Sequence, residues 1–215
     1  MVKVFLSAGH GGSDPGAVAN GLYEKTINLN TLLACKQELE RHGVTVVCSR
    51  TIDENDPVAQ EVKEANASGA DIAVSFHINA GGGDGFEAYY HSANSKGKKL
   101  AALCEKQVKA LDQNSRGLKT GDHLYFVRKT KMTSVLVESF FLDNKKDKTI
   151  GDTLTEQMRF GIAYAKAILD YFGITYKSSN KNKVYKVQVG AYEDKANAEN
   201  MKKQLKSAGF EAVII

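Results

Sequence analysis

His10, Glu24, His77 and Glu138 are residues of this 215-residue chain whose types and positions could do chemistry together. His10 follows the apolar run at 2–7, His77 ends the run beginning at Ile72, and Glu138 ends the run beginning at Ser134. Glu24 stands just before a helical stretch that starts at Thr26. In open parallel sheets, ligands bind outside the carboxyl ends of the strands. Three of these residues end strands and the fourth opens the helix after the first strand, so all four are expected in one crevice. Two imidazoles and a carboxylate make a catalytic zinc set that leaves a position for water, whose pKa the metal lowers towards neutrality. A second carboxylate nearby would take that water's proton. Gly9, Gly11 and Gly12 around His10 let the backbone turn and clear room for a substrate. Each residue also has a plainer reading. A strand-end histidine can be a hydrogen-bonded structural group, and Glu24 a carboxylate favoured by the helix dipole. Glu138 is harder to dismiss, because a carboxylate within an apolar run is costly unless it is paired or functional.

The elements that must position these groups follow from pattern. Runs at 2–7, 44–49, 72–77, 86–91, 124–127 and 134–140 read as strands. Stretches at 26–42, 57–68, 96–112 and 152–172 read as helices. The first has Leu29, Leu32, Leu33 and Leu39 on one face and Gly43 as its stop, and the last has Leu154, Met158, Ile162, Ala165 and Leu169 along one stripe. Strands and helices alternate, which predicts an α/β body with a mostly parallel sheet covered on both faces. The glycine-rich loop 81–85 lacks the Lys-Ser/Thr that ends a P-loop and is expected to be a flexible rim. The polar stretch 176–182 reads as a linker between a body at 1–175 and a tail at 183–215. The tail reads as strand (184–190), helix (195–208) and strand (210–215), with Tyr185, Val187 and Val189 on one strand face and Ala198, Met201 and Leu205 on one helix face.

Charge is unevenly spread. Residues 177–215 carry 8 basic and 4 acidic groups, whereas the first 176 residues carry 21 of each. A neutral body with a short basic tail argues against a dedicated nucleic-acid binder and allows a tail that meets an acidic or polymeric surface. Cys35, Cys48 and Cys104 are few, odd in number and far apart, so they predict buried apolar residues and neither disulfides nor a zinc knuckle. The N-terminal residues enter a strand pattern without an apolar signal region, and no apolar run approaches the roughly 20 residues of a membrane span. The expectation is a chain made in the cytoplasm without a signal peptide, with no membrane span.

Three segments resemble one family. Ser7-Ala8-Gly9-His10-Gly11-Gly12-Ser13-Asp14-Pro15-Gly16-Ala17, followed by Gly21 and Glu24, is similar to the opening of the zinc-dependent N-acetylmuramoyl-L-alanine amidases of the Amidase_3 family. Asn66, Ala70-Asp71 and Ser75-Phe76-His77-Ile78-Asn79-Ala80 resemble that family's second signature, and Val135-Leu136-Val137-Glu138-Ser139-Phe140-Phe141-Leu142-Asp143-Asn144 its third. The three arrive in order across residues 3–172. The resemblance implies a six-stranded sheet flanked by helices, one zinc held by His10, Glu24 and His77, and Glu138 as catalytic carboxylate. The substrate implied is peptidoglycan, cut at the amide between N-acetylmuramic acid and L-alanine of the stem peptide. Asn79 could orient His77 or bond the peptide, and His123 could touch substrate. The family often has an arginine where this chain has Glu61, which bears on local ion pairing and not on a ligand.

The tail resembles half of a SPOR-type domain, which binds glycan strands. Chains below roughly 40 residues usually need metals, disulfides or oligomerisation to fold. The tail has neither cysteine nor a ligand cluster, and its last strand would leave an apolar edge. A homodimer paired through two tails is therefore expected. The enzyme would reach the wall after lysis or through phage-made membrane holes, as a phage endolysin or a sporulation mother-cell autolysin. The competing readings are a non-catalytic peptidoglycan-binding protein and another zinc peptidase or deacetylase.

Overall fold

The computed structural model describes residues 1–178, 189–210, 212 and 214, and the chain forms two units, Met1–Tyr176 and Lys177–Ile215. The first unit runs β1 (Lys3–Ala8), a short hairpin of β2 (Val18–Ala19) and β3 (Leu22–Tyr23), α1 (Glu24–Arg41), β4 (Thr45–Cys48), α2 (Val58–Ser68) and β5 (Ile72–Asn79). It continues with β6 (Phe86–Tyr90), α3 (Ser95–Lys109), β7 (Ser115–Thr120), α4 (Tyr125–Lys129), β8 (Thr133–Phe141), α5 (Lys145–Lys148) and α6 (Leu154–Tyr171). The sheet order is β4-β1-β5-β8-β6-β7. All neighbours are parallel except β6 and β8, so the expected six-stranded, mostly parallel sheet is present.

Alternation along the strands decides which side chains go to which face. Val4, Leu6, Ile72, Val74, Phe76, Val135 and Val137 form the larger core with Ile27, Leu32 and Cys35 of α1, Leu100 and Cys104 of α3, and Phe160, Tyr164 and Ile168 of α6. On the opposite face, Phe5 and Ala73 pack with Val62 and Ala65 of α2 and with Phe126 of α4. Ser75 and His77 follow Ala73 at intervals of two, so His77 belongs to this second face. Its register partner Glu138 shares that face, so both stand at the carboxyl ends of neighbouring strands.

Several expected details are corrected. Residues 124–127 are not a strand: Tyr125–Lys129 is a single helical turn and a half, preceded by the turn that carries His123. The outer strand is instead Ser115–Thr120, whose polar sequence gave no strand signal. Leu33, Leu154 and Met158 are exposed, and α6 buries Phe160, Tyr164 and Ile168 in their place. Val58 is also exposed, and Cys48 is only half-buried although Cys35 and Cys104 are buried. All three cysteines are free.

In the second unit, α7 (Lys195–Ser207) is capped by Asp194, whose carboxylate accepts from the Ala196 amide at 2.7 Å. None of its residues is fully buried, and Ala198, Met201 and Leu205 are half-buried. The strands expected over 184–190 and 210–215, with Tyr185 and Val187, fall mainly outside the described residues, as does 179–182 of the expected linker. Among the described residues, no helix is long and apolar enough to cross a membrane.

Candidate metal and catalytic centre

His10, Glu24 and His77 converge: one donor atom from each lies within 4.8 Å of the others. His10 leaves β1 in the left-handed region, with φ 66°, a conformation that non-glycine residues adopt rarely and often at functional sites. Its Nδ1 is 2.8 Å from Asp14 Oδ2, and its Nε2 is 3.3 Å from Glu24 Oε1. The loop is closed by reciprocal backbone bonds between Gly11 and Asp14. Arg50, fully buried after β4, donates to the carbonyls of Ala8 at 3.0 Å and Lys25 at 2.8 Å, tying the end of β1 to the start of α1.

Glu24 is the first residue of α1, but its side chain turns inward and is buried. Oε2 accepts from the Ala17 amide at 2.8 Å, and Oε1 accepts from the Ile78 amide at 3.0 Å and lies 3.1 Å from His77 Nδ1. Two glycines make this close packing possible. A Cβ on Gly9 would lie 2.1 Å from His77 Cε1, and one on Gly16 would lie 2.6 Å from Glu24 Oε2, with φ 63° as a further obstacle.

The electrostatics of the cluster favour positive charge. Burial works against the Glu24 carboxylate, yet hydrogen bonds from His10 and His77 hold its pKa well below the usual range. The bond to Glu24 is the main reason that His10 is raised to about 9, with Asp14 adding to it against the cost of burial. Burial opposes the His77 imidazolium, but the Glu24 hydrogen bond and the charges of Glu138 and Glu24 outweigh it and the pKa rises. Two imidazoles and a carboxylate that jointly attract a cation fit a zinc ion, whose usual donors are these. A donor nitrogen whose partner is fixed, as Asp14 fixes His10, is the usual arrangement around such ligands.

Glu138 stands beside the cluster and outside it. On the sheet its Cα partners are His77 on β5 and Glu87 on β6. Its Oε2 is buried and has no hydrogen-bond partner among the described residues. Burial pushes its pKa up to about 7, with Glu24 and Glu87 adding to the rise and His77 opposing it. When ionised, such a group is a proton acceptor whose lone pairs no other donor has claimed.

The other expected residues have partners outside the cluster. Asn79 Nδ2 donates to Glu87 Oε2 at 3.2 Å, and its Oδ1 accepts from the Ala80 amide, so its bonds go to none of His10, Glu24 and His77. His123 is exposed and meets Tyr89 edge-on, with ring centroids 6.1 Å apart. Glu61 accepts from Ser7 Oγ at 2.6 Å, so a hydrogen bond occupies the place where an ion pair was in question. The loop 81–85 is tied down: the Gly81 and Gly82 amides donate to Asp143 Oδ2 and the Gly85 amide donates to Asp147 Oδ2. His42 bonds the Glu38 carbonyl at the end of α1, and His91 lies 3.4 Å from Asp122. Asp14, Arg50 and Glu87 do not stand out in the sequence. For Arg50 a signal existed, because it directly follows a strand on the carboxyl side of the sheet.

The N-acetylmuramoyl-L-alanine amidase model of the Amidase_3 family matches residues 4–170, and the SPOR domain model matches residues 163–215. N-acetylmuramoyl-L-alanine amidase CwlM of Bacillus licheniformis is 38% identical over 221 residues, covering 100% of this chain and 85% of that protein. The sporulation-specific N-acetylmuramoyl-L-alanine amidase of Bacillus subtilis is 35% identical, also over 100% of this chain and 85% of its own length. Among solved structures, the catalytic domain of the amidase CwlV from Bacillus (Paenibacillus) polymyxa superposes with a TM-score of 0.76 at 32% identity, over 81% of this chain and 100% of that domain.

Proposed function

The chain belongs to the N-acetylmuramoyl-L-alanine amidase family, and on that footing we propose that it hydrolyses the amide between the lactyl group of N-acetylmuramic acid and the L-alanine of the stem peptide. His10, Glu24 and His77 would hold one zinc ion, and Glu138 is the general base. Zinc, when bound, supplies the positive charge that polarises a carbonyl and acidifies water. The chain supplies the rest. Asp14 and the Ile78 amide fix the orientation of His10 and Glu24. Glu138 takes the proton of the attacking water on Oε2 and returns it to the departing amine, a role that suits a buried carboxyl whose proton affinity burial raises. The observation that carries this reading is the unpartnered Oε2 of Glu138 beside the His10–Glu24–His77 cluster.

Digestion of purified muropeptides, with mass spectrometry of the products and zinc measured on the same sample, tests the reading. The expected result is a free L-alanine amine, an intact lactyl group and one zinc per chain. Cleavage within the peptide or at an N-acetyl group would favour another zinc hydrolase, and zinc without cleavage a wall-binding protein. The full-length similarity to a sporulation-specific amidase supports action on the wall of the sporulating cell.

We further propose that the tail binds glycan strands and pairs two copies. Val189, Tyr192, Phe210 and Ile214 are exposed apolar groups in a unit whose helix has no fully buried residue, and a partner tail would cover them. Light scattering during gel filtration should report a dimer for the full chain and a monomer after deletion of residues 177–215. A monomeric full chain at tens of micromolar would overturn the pairing.

A further inference from the structure

One charged group of side chains beside Glu138 takes no part in that chemistry. His77, Glu138 and Glu87 are successive Cα partners on β5, β8 and β6, so they stand in a row on one sheet face. The row extends onto β7. There Ser115–Leu118 stand opposite Phe86–Ala88, one residue more than on β6, and this irregularity places Arg116 across from Glu87. Glu87 is buried, with only 3% of its side chain exposed, and accepts from Arg116 Nε at 2.6 Å, Tyr89 Oη at 2.6 Å, Lys119 Nζ and Asn79 Nδ2.

Two cations thus serve the one buried carboxylate of this group, with Asp84 acting on Arg116 from further off. Neither cation is buried with Glu87: Arg116 and Lys119 keep 42% and 37% of their side chains exposed. Both are oriented. The Arg116 guanidinium lies over the Phe141 ring at 5.2 Å, and Lys119 Nζ lies over the Tyr89 ring at 5.9 Å. Arg116 spends Nε on Glu87, and the outer edge of its guanidinium is the part that suits bidentate recognition of a carboxylate. A structural pair would need one cation. A second cation, pre-positioned and open to solvent on the catalytic face, suits an anionic ligand.

Adjacent strands are about 4.8 Å apart, so β7 lies about 10 Å from β8. An extended peptide covers roughly 3.3–3.6 Å per residue, which makes this two to three residues beyond the reacting carbonyl. We propose that Arg116 and Lys119 form a carboxylate subsite that holds a free carboxylate on the second or third residue of the departing stem peptide. The proposal rests on the amidase reading and adds the direction in which the peptide leaves, across β6 towards β7.

The test uses synthetic muramoyl tripeptides that carry either a free carboxylate or a carboxamide, first at the second residue and then at the third. With the wild-type, zinc-loaded full chain, the carboxylate form at one of these positions should have a KM lower by about tenfold, with kcat little changed. Arg116→Gln and Lys119→Gln should each shrink that preference, and the double variant should erase it through KM. Arg116→Lys, which keeps the charge and loses the planar fork, should restore only part of it. Because the ratio is read within one protein, a loss of folded material in a variant does not imitate the result. Equal KM values for all forms in the wild type, or a preference that survives the double variant, overturns the subsite while hydrolysis itself upholds the amidase reading. Absence of hydrolysis for every form overturns both.

Discussion

Two carboxylates adjoin His77, one by a hydrogen bond and one by strand register, and their surroundings differ in almost every respect. Glu24, at the start of α1, has its oxygens engaged by two backbone amides and two imidazoles. Glu138, near the end of β8, has a buried oxygen with no partner. Burial acts on both in the same direction, yet Glu24 is held far below the usual carboxylate range and Glu138 is raised to about 7. The difference is hydrogen bonding to the charged form, which Glu24 has in abundance and Glu138 lacks. A group whose charge is stabilised from every side suits a permanent anion, such as a metal ligand. A group whose charge is tolerated but not stabilised suits a proton carrier. Neighbouring carboxylates whose pKa values are pushed apart in this way divide the roles of fixed charge and base.

That division breaks if the two residues respond alike to loss of charge. Glu24→Gln, His10→Ala and His77→Ala should each lose bound zinc and reduce hydrolysis to background, the largest effects expected. Glu138→Gln should keep one zinc per chain and lose about 10²–10⁴-fold in kcat, the usual size for a lost proton-transfer group. Metal analysis and muropeptide turnover on the same preparations decide it. Zinc lost with Glu138→Gln, or kept with Glu24→Gln, would exchange the two assignments. A smaller effect sharpens the same contrast. Asp14→Ala removes the group that orients His10 but no donor atom of the cluster, so zinc affinity should weaken by about 10–100-fold while loaded enzyme stays active. Competition against a chelator of known affinity measures it.

The sequence made Glu138 and the histidines visible because polar groups at the ends of apolar strands are anomalous on their face. It made the sheet visible through apolar runs such as 72–76 and 135–137. It did not show the groups whose meaning depends on a distant partner. Glu87 is an ordinary residue until Arg116 and Lys119, about 30 residues away, are placed against it by an irregular β6–β7 pairing. Arg50 becomes a clamp only when the carbonyl ends of β1 lie beside it. The wrong elements have the same origin. Residues 124–127 are too short for periodicity to separate strand from helix, and β7 is an outer strand with half-exposed polar residues. In α6, the expected stripe began at Leu154, but Leu154 and Met158 face solvent while Gln157 bonds Asn30 and Thr31 of α1, and Phe160, Tyr164 and Ile168 join Ala165 and Leu169 in the packing.

The last and smallest expected effect concerns stability without metal. In the fold Glu138 has a pKa raised from 4.5 to about 7 by burial. Between those values the folded chain holds a proton that the unfolded chain releases. Stability therefore falls as pH rises through this window, and the loss is complete above about 7. It amounts to roughly 3 kcal/mol, since a tenfold change in proton affinity corresponds to about 1.4 kcal/mol. Glutamine keeps the size of the side chain and cannot ionise. In chelator-treated protein, Glu138→Gln should match the wild type at pH 4 and unfold at a higher temperature at pH 8, by roughly 2–10 °C. The titrations of Glu24 and His10 are common to both proteins and largely cancel in the difference. Zinc should reverse the sign, because a cation beside Glu138 favours its carboxylate. Thermal unfolding of both proteins at the two pH values, with and without zinc, separates the cases. A metal-free variant less stable than the wild type at pH 8 would mean that the Glu138 carboxylate has a stabilising partner, and the contrast with Glu24 would fall.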